Sequence, residues 1–172
     1  MIAAGQSLPA GKLMEATNFD EGTGCPIGPQ EVDVTSASKD KKIVIFGLPG
    51  AYTPTCSAKH VPSFIQNAAA LKAKGVDEVW CVTTNDAFVM AAWGKHLKVD
   101  GKVRMLADGS AKYVKDLGLD LDLTARGMGE QAAADPVSRR GRPVGDDRIA
   151  RRQLPGSSFS LPAAHALDGV VL

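Results

Sequence analysis

Cys56 is the residue whose setting most favours covalent chemistry. It follows a loop with two prolines, Gly47–Thr55 (GLPGAYTPT), and opens a segment with a helical pattern. At a helix start, free backbone N–H groups and the positive end of the helix dipole favour a thiolate over a thiol. Thr53, three residues earlier, can place its hydroxyl beside the sulfur. The position predicts a nucleophilic cysteine, although a free cysteine is also often a small buried hydrophobe.

A buried strand and a helix must position this loop. Ile43–Gly47 is a short apolar run bounded by lysines and by Gly-Leu-Pro-Gly, which is typical of a buried strand. Ser57–Lys74 has a helical pattern that ends at Gly75. Pro62 lies inside this pattern, and because proline removes a backbone bond and clashes with the preceding turn, it predicts a kink or a restart of the helix.

Strands and helices alternate along the rest of the chain to about residue 118. Asp77–Thr84 and Val103–Ala107 are predicted strands, and Asn85-Asp86 is a predicted N-cap for the helix Ala87–Leu97. Such alternation predicts parallel strands with right-handed crossovers, and therefore an α/β sandwich. Two further strands are predicted at Lys12–Thr17 and Gln30–Thr35, a helix at Ala111–Leu117, and loops at Glu21–Gln30 and Leu119–Gly129.

Composition excludes several classes of function. The chain has 172 residues, 44% of them hydrophobic and 23% charged, with a net charge of +1, so neither nucleic acid nor an anionic membrane is an expected partner. We find no signal-peptide pattern and no apolar run long enough to span a membrane. Three widely spaced cysteines do not form a secreted disulfide framework, and they predict a cytoplasmic protein.

No metal or other cofactor is expected, because the cysteines and histidines lack ligand spacing. His60, four residues after Cys56, is predicted to support the helix or an interface, and Cys25 is predicted to be an exposed loop thiol. The residues considered are Cys25, Cys56, Cys81, His60, His96 and His165.

The character of the chain changes near residue 131. Residues 1–130 contain twelve lysines and two arginines, whereas residues 131–172 contain no lysine and six arginines, with many Ala, Pro, Gly and Ser. We therefore predict a folded domain over residues 1–130 and a divergent Arg/Ala/Pro-rich tail over residues 131–172. One interpretation of this composition is a solvated linker or disordered segment.

The loop before Cys56 carries a resemblance to a known family. Pro49–Cys56 (PGAYTPTC) matches the P-x-x-x-[ST]-x-x-C signature of peroxiredoxins, and Gly47–Ser57 resembles the type II, or atypical two-cysteine, class. The resemblance covers about residues 1–130. Three further segments resemble the same class: Lys72–Val76 (KAKGV), Asn85–Val89 (NDAFV) and Gly101–Arg104 (GKVR).

This resemblance implies an α/β, thioredoxin-like three-layer sandwich with a central mixed sheet flanked by helices. It implies that the Cys56 thiolate attacks the O–O bond of hydrogen peroxide or an organic hydroperoxide and becomes a sulfenic acid. The Thr53 hydroxyl would hydrogen-bond the peroxide and the thiolate. Pro49 would shield and shape the pocket. A homodimer is implied as well.

Cys81, in the predicted strand DEVWCVTT, has two interpretations. It is a core cysteine facing the sheet, or a resolving cysteine, since plant type II members carry one 25 residues after the peroxidatic cysteine. A disulfide with Cys56 would require local unfolding. Because the tail contains no cysteine, recycling by glutaredoxin with glutathione, or by thioredoxin, is favoured over a self-contained cycle.

One family residue is missing. Members carry an arginine in a segment resembling E-R-S-R-R-Y, whereas Glu130 is followed here by Gln-Ala-Ala-Ala; Arg126 precedes this place and Arg139 and Arg140 follow it. The altered composition is what out-of-frame reading of a GC-rich gene would produce, so we hypothesise a frameshift near residue 130, which resequencing tests. The alternative functions are a non-catalytic thioredoxin-fold redox sensor or holdase, or an inactive frameshifted product.

Overall fold

The structure, a computed structural model, describes residues 8–133 and 170–171, so most of the predicted tail lies outside the described residues. The strands are β1 Lys12–Glu15, β2 Asn18–Phe19, β3 Pro26–Ile27, β4 Gln30–Asp33, β5 Ile43–Gly47, β6 Glu78–Thr83, β7 Arg104–Ala107, β8 Asp120–Asp122, β9 Glu130–Ala132 and β10 Val170–Val171. The α-helices are α1 Val34–Ser38, α2 Val61–Ala73, α3 Ala87–Leu97 and α4 Lys112–Asp116. No helix among the described residues is long and apolar enough to cross a membrane.

Six strands form the central sheet, in the order β10-β5-β6-β7-β1-β4. Strands β5, β6 and β7 are parallel, and β10 pairs in parallel with β5. Strand β1 pairs antiparallel with both β7 and β4. The sheet is therefore mixed, which confirms the predicted α/β, thioredoxin-like class.

Strand β5 shows why the fold has three layers. All five of its residues are buried. Because successive strand residues point to opposite faces, Val44 and Phe46 enter a core with residues of α2 and α3, whereas Ile43 and Ile45 enter a second core with residues of α1 and α4. Helices thus cover both faces, and an uninterrupted apolar run is the pattern that such a strand requires.

The predicted loops contain short paired strands. In the segment predicted as loop after residue 118, β8 pairs antiparallel with β9, with Asp120 opposite Ala132. Strand β9 continues past the predicted domain boundary, and Ala132 is buried in the core. Strands β2 and β3 form a separate antiparallel pair, so β3 falls inside the predicted loop Glu21–Gln30. The division near residue 130 stays a prediction for residues 134–169, which are not described.

A network of charged groups joins four strands or their flanks. Arg104 on β7 binds Glu15 of β1 at 2.6 Å and Glu78 of β6 at 2.9 Å, and Lys41, just before β5, also binds Glu78. The Trp80 indole N–H donates to Glu78 Oε2 at 2.7 Å. Burial favours the neutral acid, but the bonds from Lys41, Trp80 and Arg104 outweigh it and lower the pKa of Glu78 to about 2.

We expect this network to make stability sensitive to acid. The folded-state pKa of Glu78 lies below its ordinary value of 4.5, so its contribution is present above about pH 4.5 and is lost as the pH falls towards about 2. Glu78→Gln should lower the free energy of unfolding at pH 7 and flatten its pH dependence between these limits, as measured by urea denaturation. Glu31→Gln, at the exposed Lys12–Glu31 pair, is the control. If both variants lost the pH dependence of stability to a similar extent, the acid sensitivity could not be assigned to Glu78.

Candidate active site

Cys56 lies at the start of the helical segment that follows β5. The first helical bond runs from Ser57 N–H to the Thr53 carbonyl at 3.0 Å, which puts Cys56 in the first turn. A π-helical turn spans Cys56–His60, and the N–H of Val61 donates to the Cys56 carbonyl. Helix α2 then begins with Pro62 in its first turn, where the missing proline N–H costs little. The predicted restart at Pro62 is confirmed.

The loop before Cys56 is held by hydrogen bonds from side chains. Thr53 Oγ1 donates to the Gly50 carbonyl at 2.9 Å. The Ala51 N–H donates to Asn85 Oδ1 at 2.8 Å, which connects the loop to the end of β6. Gly50 has φ +150°, a conformation that residues with a Cβ rarely adopt. Pro49 is half-buried beside it. The structure therefore brings Pro49, Thr53 and Cys56, which the sequence singled out, into one bonded loop.

Two opposing effects act on the Cys56 thiol, which is 3% exposed. Burial raises its pKa, whereas the Thr53 hydroxyl and the backbone of Gly50 and Cys56 lower it, and burial is the larger effect. The helix start thus supplies donors to the sulfur, as the sequence predicts, but among the described residues these donors do not outweigh the loss of solvation. The pKa lies above the ordinary thiol value.

Cys81 occupies the middle of β6, between Phe46 of β5 and Met105 of β7. It is fully buried, and it belongs to the same apolar core as Cys56. Burial, and secondarily the nearby Cys56, raises the pKa of Cys81 well above its ordinary value. Cys81 is therefore a core residue in this structure, and its role as a resolving cysteine stays a prediction. Neither residue is in a disulfide, and Cys25 is an exposed free thiol, as predicted.

Of the two arginines in residues 8–133, one is held in ion pairs and the other is exposed. Arg104 is bound by Glu15 and Glu78, and Arg126 is exposed on a 3-10 turn. Arg139 and Arg140 lie outside the described residues. The residue that follows Glu130, Gln131, does reach the loop: its Oε1 lies 3.5 Å from the position that a Cβ on Gly50 would take, and it accepts from Thr84 Oγ1 at 2.7 Å.

Three residues at this site did not emerge from the sequence. Asn85 was predicted to cap α3 together with Asp86, but Asp86 alone accepts the cap bond, from Val89 N–H at 2.9 Å, and Asn85 binds the loop instead. Gln131 falls in the predicted tail, but the structure places it in β9. Trp93, which is fully buried, donates its indole N–H to Ser57 Oγ at 3.1 Å and so ties α3 to the turn that carries Cys56.

The fold and the site together define a thiol-based redox protein. Cys56 lies at the start of the helical segment that follows β5 of a thioredoxin-like sheet, and the Thr53 hydroxyl and nearby backbone act on its thiol. The Redoxin family model matches residues 3–134. Peroxiredoxin-2B of Arabidopsis thaliana is 48% identical over 128 residues, which cover 74% of this chain and 75% of that protein. Peroxiredoxin-2C of Oryza sativa subsp. japonica is 47% identical over 128 residues, which again cover 74% of this chain and 75% of that protein.

A solved structure gives the same result. Reduced Prx3 from Vibrio vulnificus in complex with H2O2 is similar, with a TM-score of 0.67 and 42% identity over 77% of each chain. The chain belongs to the peroxiredoxin family, and the type II class fits. Thiol-dependent peroxidase activity is the function that these relationships support.

Proposed function

We propose that Cys56 is the peroxidatic nucleophile of this peroxidase, for hydrogen peroxide and organic hydroperoxides. The observation that carries this proposal is a buried thiol in the first turn of a helix, where the Thr53 hydroxyl and the backbone of Gly50 and Cys56 lower its pKa against the effect of burial. The same donors can hold a peroxide in line with the sulfur, and half-buried Pro49 limits access of water.

In the reaction the Cys56 thiolate forms a bond to one peroxide oxygen while the O–O bond breaks. The other oxygen leaves as water or an alcohol after taking up a proton, and Cys56 becomes a sulfenic acid. A reductant thiol then attacks the sulfur, which releases water and leaves a mixed disulfide. A second thiol reduces that disulfide and restores Cys56.

External thiols are the proposed reductants: glutaredoxin with glutathione, or thioredoxin. Cys81 is fully buried in the middle strand of the sheet, and its raised pKa keeps it a neutral thiol. Since the thiolate is the attacking form, these features favour resolution from outside the domain. Resolution by Cys81 would require β6 or the Cys56 turn to open first.

A coupled assay of peroxide consumption tests the reductant. We expect continuous turnover of hydrogen peroxide and of an organic hydroperoxide with the glutathione–glutaredoxin system or the thioredoxin system, and about one equivalent of consumed peroxide per chain when the reductant protein is omitted. The reactions without glutaredoxin or thioredoxin are the control, because they measure how much peroxide the small thiols reduce directly. Turnover with a small dithiol at an equal rate in the presence and absence of both reductant proteins would contradict the proposal.

A non-catalytic redox sensor or holdase is the second candidate. The observation that favours it is that burial raises the pKa of Cys56, and that neither Arg104, which is held by Glu15 and Glu78, nor the exposed Arg126 is among the groups that lower this pKa. This candidate, like an inactive product, predicts no peroxide turnover with either reductant system.

We further propose a cytoplasmic homodimer. Two exposed aromatic side chains support an interface: Tyr52, which is 54% exposed, and Phe88, which is 51% exposed. The three cysteines, none of them in a disulfide, are compatible with a reducing compartment. Sedimentation at several protein concentrations measures the oligomeric state, and a monomer at all concentrations would overturn the dimer.

A further inference from the structure

One peptide unit, between Gly50 and Ala51, is hydrogen-bonded at both of its polar ends. Its carbonyl accepts from Thr53 Oγ1 at 2.9 Å, and its N–H donates to Asn85 Oδ1 at 2.8 Å. A peptide plane that is fixed at both ends cannot rotate without breaking one of these bonds. The orientation of this peptide therefore fixes the position of the carbonyl that accepts the hydrogen bond from the Thr53 hydroxyl.

Asn85 is itself anchored to the sheet. Its Oδ1 also accepts from Thr83 Oγ1 at 3.0 Å, and its backbone N–H donates to Thr83 Oγ1 at 3.2 Å. Thr83 is the last residue of β6 and is fully buried. The rigid end of a central strand thus fixes the acceptor that holds the Ala51 N–H. The start of α3 does not use this side chain, because Asp86 supplies the cap.

The peptide held by Asn85 adjoins the groups that surround the Cys56 sulfur. Thr53, whose hydroxyl binds the carbonyl of this peptide, accepts the first helical bond from Ser57, next to Cys56. The Thr53 hydroxyl and the backbone of Gly50 both lower the pKa of the Cys56 thiol. We propose that Asn85 is a positioning residue for the reactive cysteine: by holding the Ala51 N–H it fixes the Gly50–Ala51 peptide, and through it the Thr53 hydroxyl and the Gly50 backbone beside Cys56. The proposal deepens the proposed function and rests on it for the role of Cys56 with peroxide.

Removing the side chain of Asn85 frees the peptide to rotate, so the donors to the thiolate weaken. For Asn85→Ala we expect the midpoint of the pH dependence of Cys56 alkylation by iodoacetamide to rise by about one pH unit, which lowers the thiolate fraction at pH 7 about tenfold. The rate of peroxide consumption should fall by a similar factor. All variants carry Cys25→Ser as well, so that the exposed Cys25 thiol does not compete with Cys56 for iodoacetamide.

Asn67→Ala is the matched control. Asn67 is also a half-buried asparagine with a hydrogen bond to backbone, from Nδ2 to the Ser63 carbonyl at 2.8 Å, but it lies in α2 away from the loop. It should leave the alkylation midpoint in place. If Asn85→Ala does not fold, Asn85→Ser, which keeps a shorter acceptor, gives the same test with a smaller expected shift. A midpoint unmoved in the folded variant, or moved equally by Asn67→Ala, would overturn the proposal.

A double-mutant cycle with Thr53→Val separates positioning from a general structural effect. If Asn85 acts through the Gly50–Ala51 peptide and Thr53, the alkylation midpoint of the double variant should lie close to that of Thr53→Val alone. Shifts of the midpoint that are fully additive would overturn the proposal. Alkylation requires no peroxide. A shifted midpoint in a chain that does not consume peroxide therefore supports the role of Asn85 while it rejects the peroxidase assignment of Cys56.

Discussion

Cys56→Ser should reduce peroxide consumption by at least about 1,000-fold, since a hydroxyl cannot replace a thiolate as the nucleophile at neutral pH. The serine is close in size, so the 3%-exposed site should keep its packing and the variant should fold. Peroxide consumption with excess reductant, followed over time, measures the loss. Mass spectrometry of the intact chain after one equivalent of peroxide should show an added oxygen at Cys56 in the parent chain.

The other two cysteines provide the controls. Cys25→Ser changes an exposed loop thiol and should keep full turnover. Cys81→Ser should keep most turnover with glutaredoxin or thioredoxin, provided that it folds, because in the proposed cycle external thiols reduce the oxidised Cys56. Should Cys81→Ser abolish turnover in a folded chain, Cys81 would be the resolving residue and external resolution would be rejected. Should Cys56→Ser retain turnover, the nucleophile would have to be sought elsewhere.

Gln131→Arg should have the second largest effect, in the direction of greater reactivity. The end of the Gln131 side chain lies beside Gly50, whose backbone acts on the Cys56 thiol. A guanidinium there would favour the thiolate, and a cation near an acidic group lowers its pKa by about 1–3 units. We expect the alkylation midpoint of Cys56 to fall by about one unit and the peroxide rate at pH 7 to rise about tenfold.

Two variants separate charge from position. Gln131→Met has a similar length without the charge, and it should leave the midpoint of Cys56 unchanged or raise it slightly. Gln66→Arg adds the same charge on an exposed position of α2. If Gln66→Arg lowers the midpoint as much as Gln131→Arg does, the effect is one of net charge, and the local assignment of Gln131 is wrong.

The central part of the fold could be predicted because its signals are local. Ile43–Gly47 is apolar throughout, and the structure buries it on both faces. Pro62 ended one helical segment and began another because proline acts on the backbone within one turn. Strands β6 and β7 were each predicted within one residue at either end for the same kind of reason.

Other elements could not be predicted, because the interactions that form them are distant in sequence. Strands β8 and β9 have three residues each, too few to show a period, and they exist because Asp120 pairs with Ala132. Asn85 has the composition of a helix cap, and only the position of Ala51, 34 residues earlier, gives its side chain a different role. Gln131 has no local signal at all, since its significance comes from its distance to Gly50.

The sequence by itself was enough to predict the reaction class, and it singled out Cys56 as the proposed nucleophile. Eight consecutive residues contain Pro49, Thr53 and Cys56, so a local sequence motif can specify all three. Only the tertiary structure decided how far that nucleophile is activated. The pKa of Cys56 depends on its burial, on the Gly50–Ala51 peptide that Asn85 holds, and on which charges reach the loop. These are properties of groups brought together from separate segments of the chain, and electrostatic energies depend on their distances and surroundings rather than on their order in the chain.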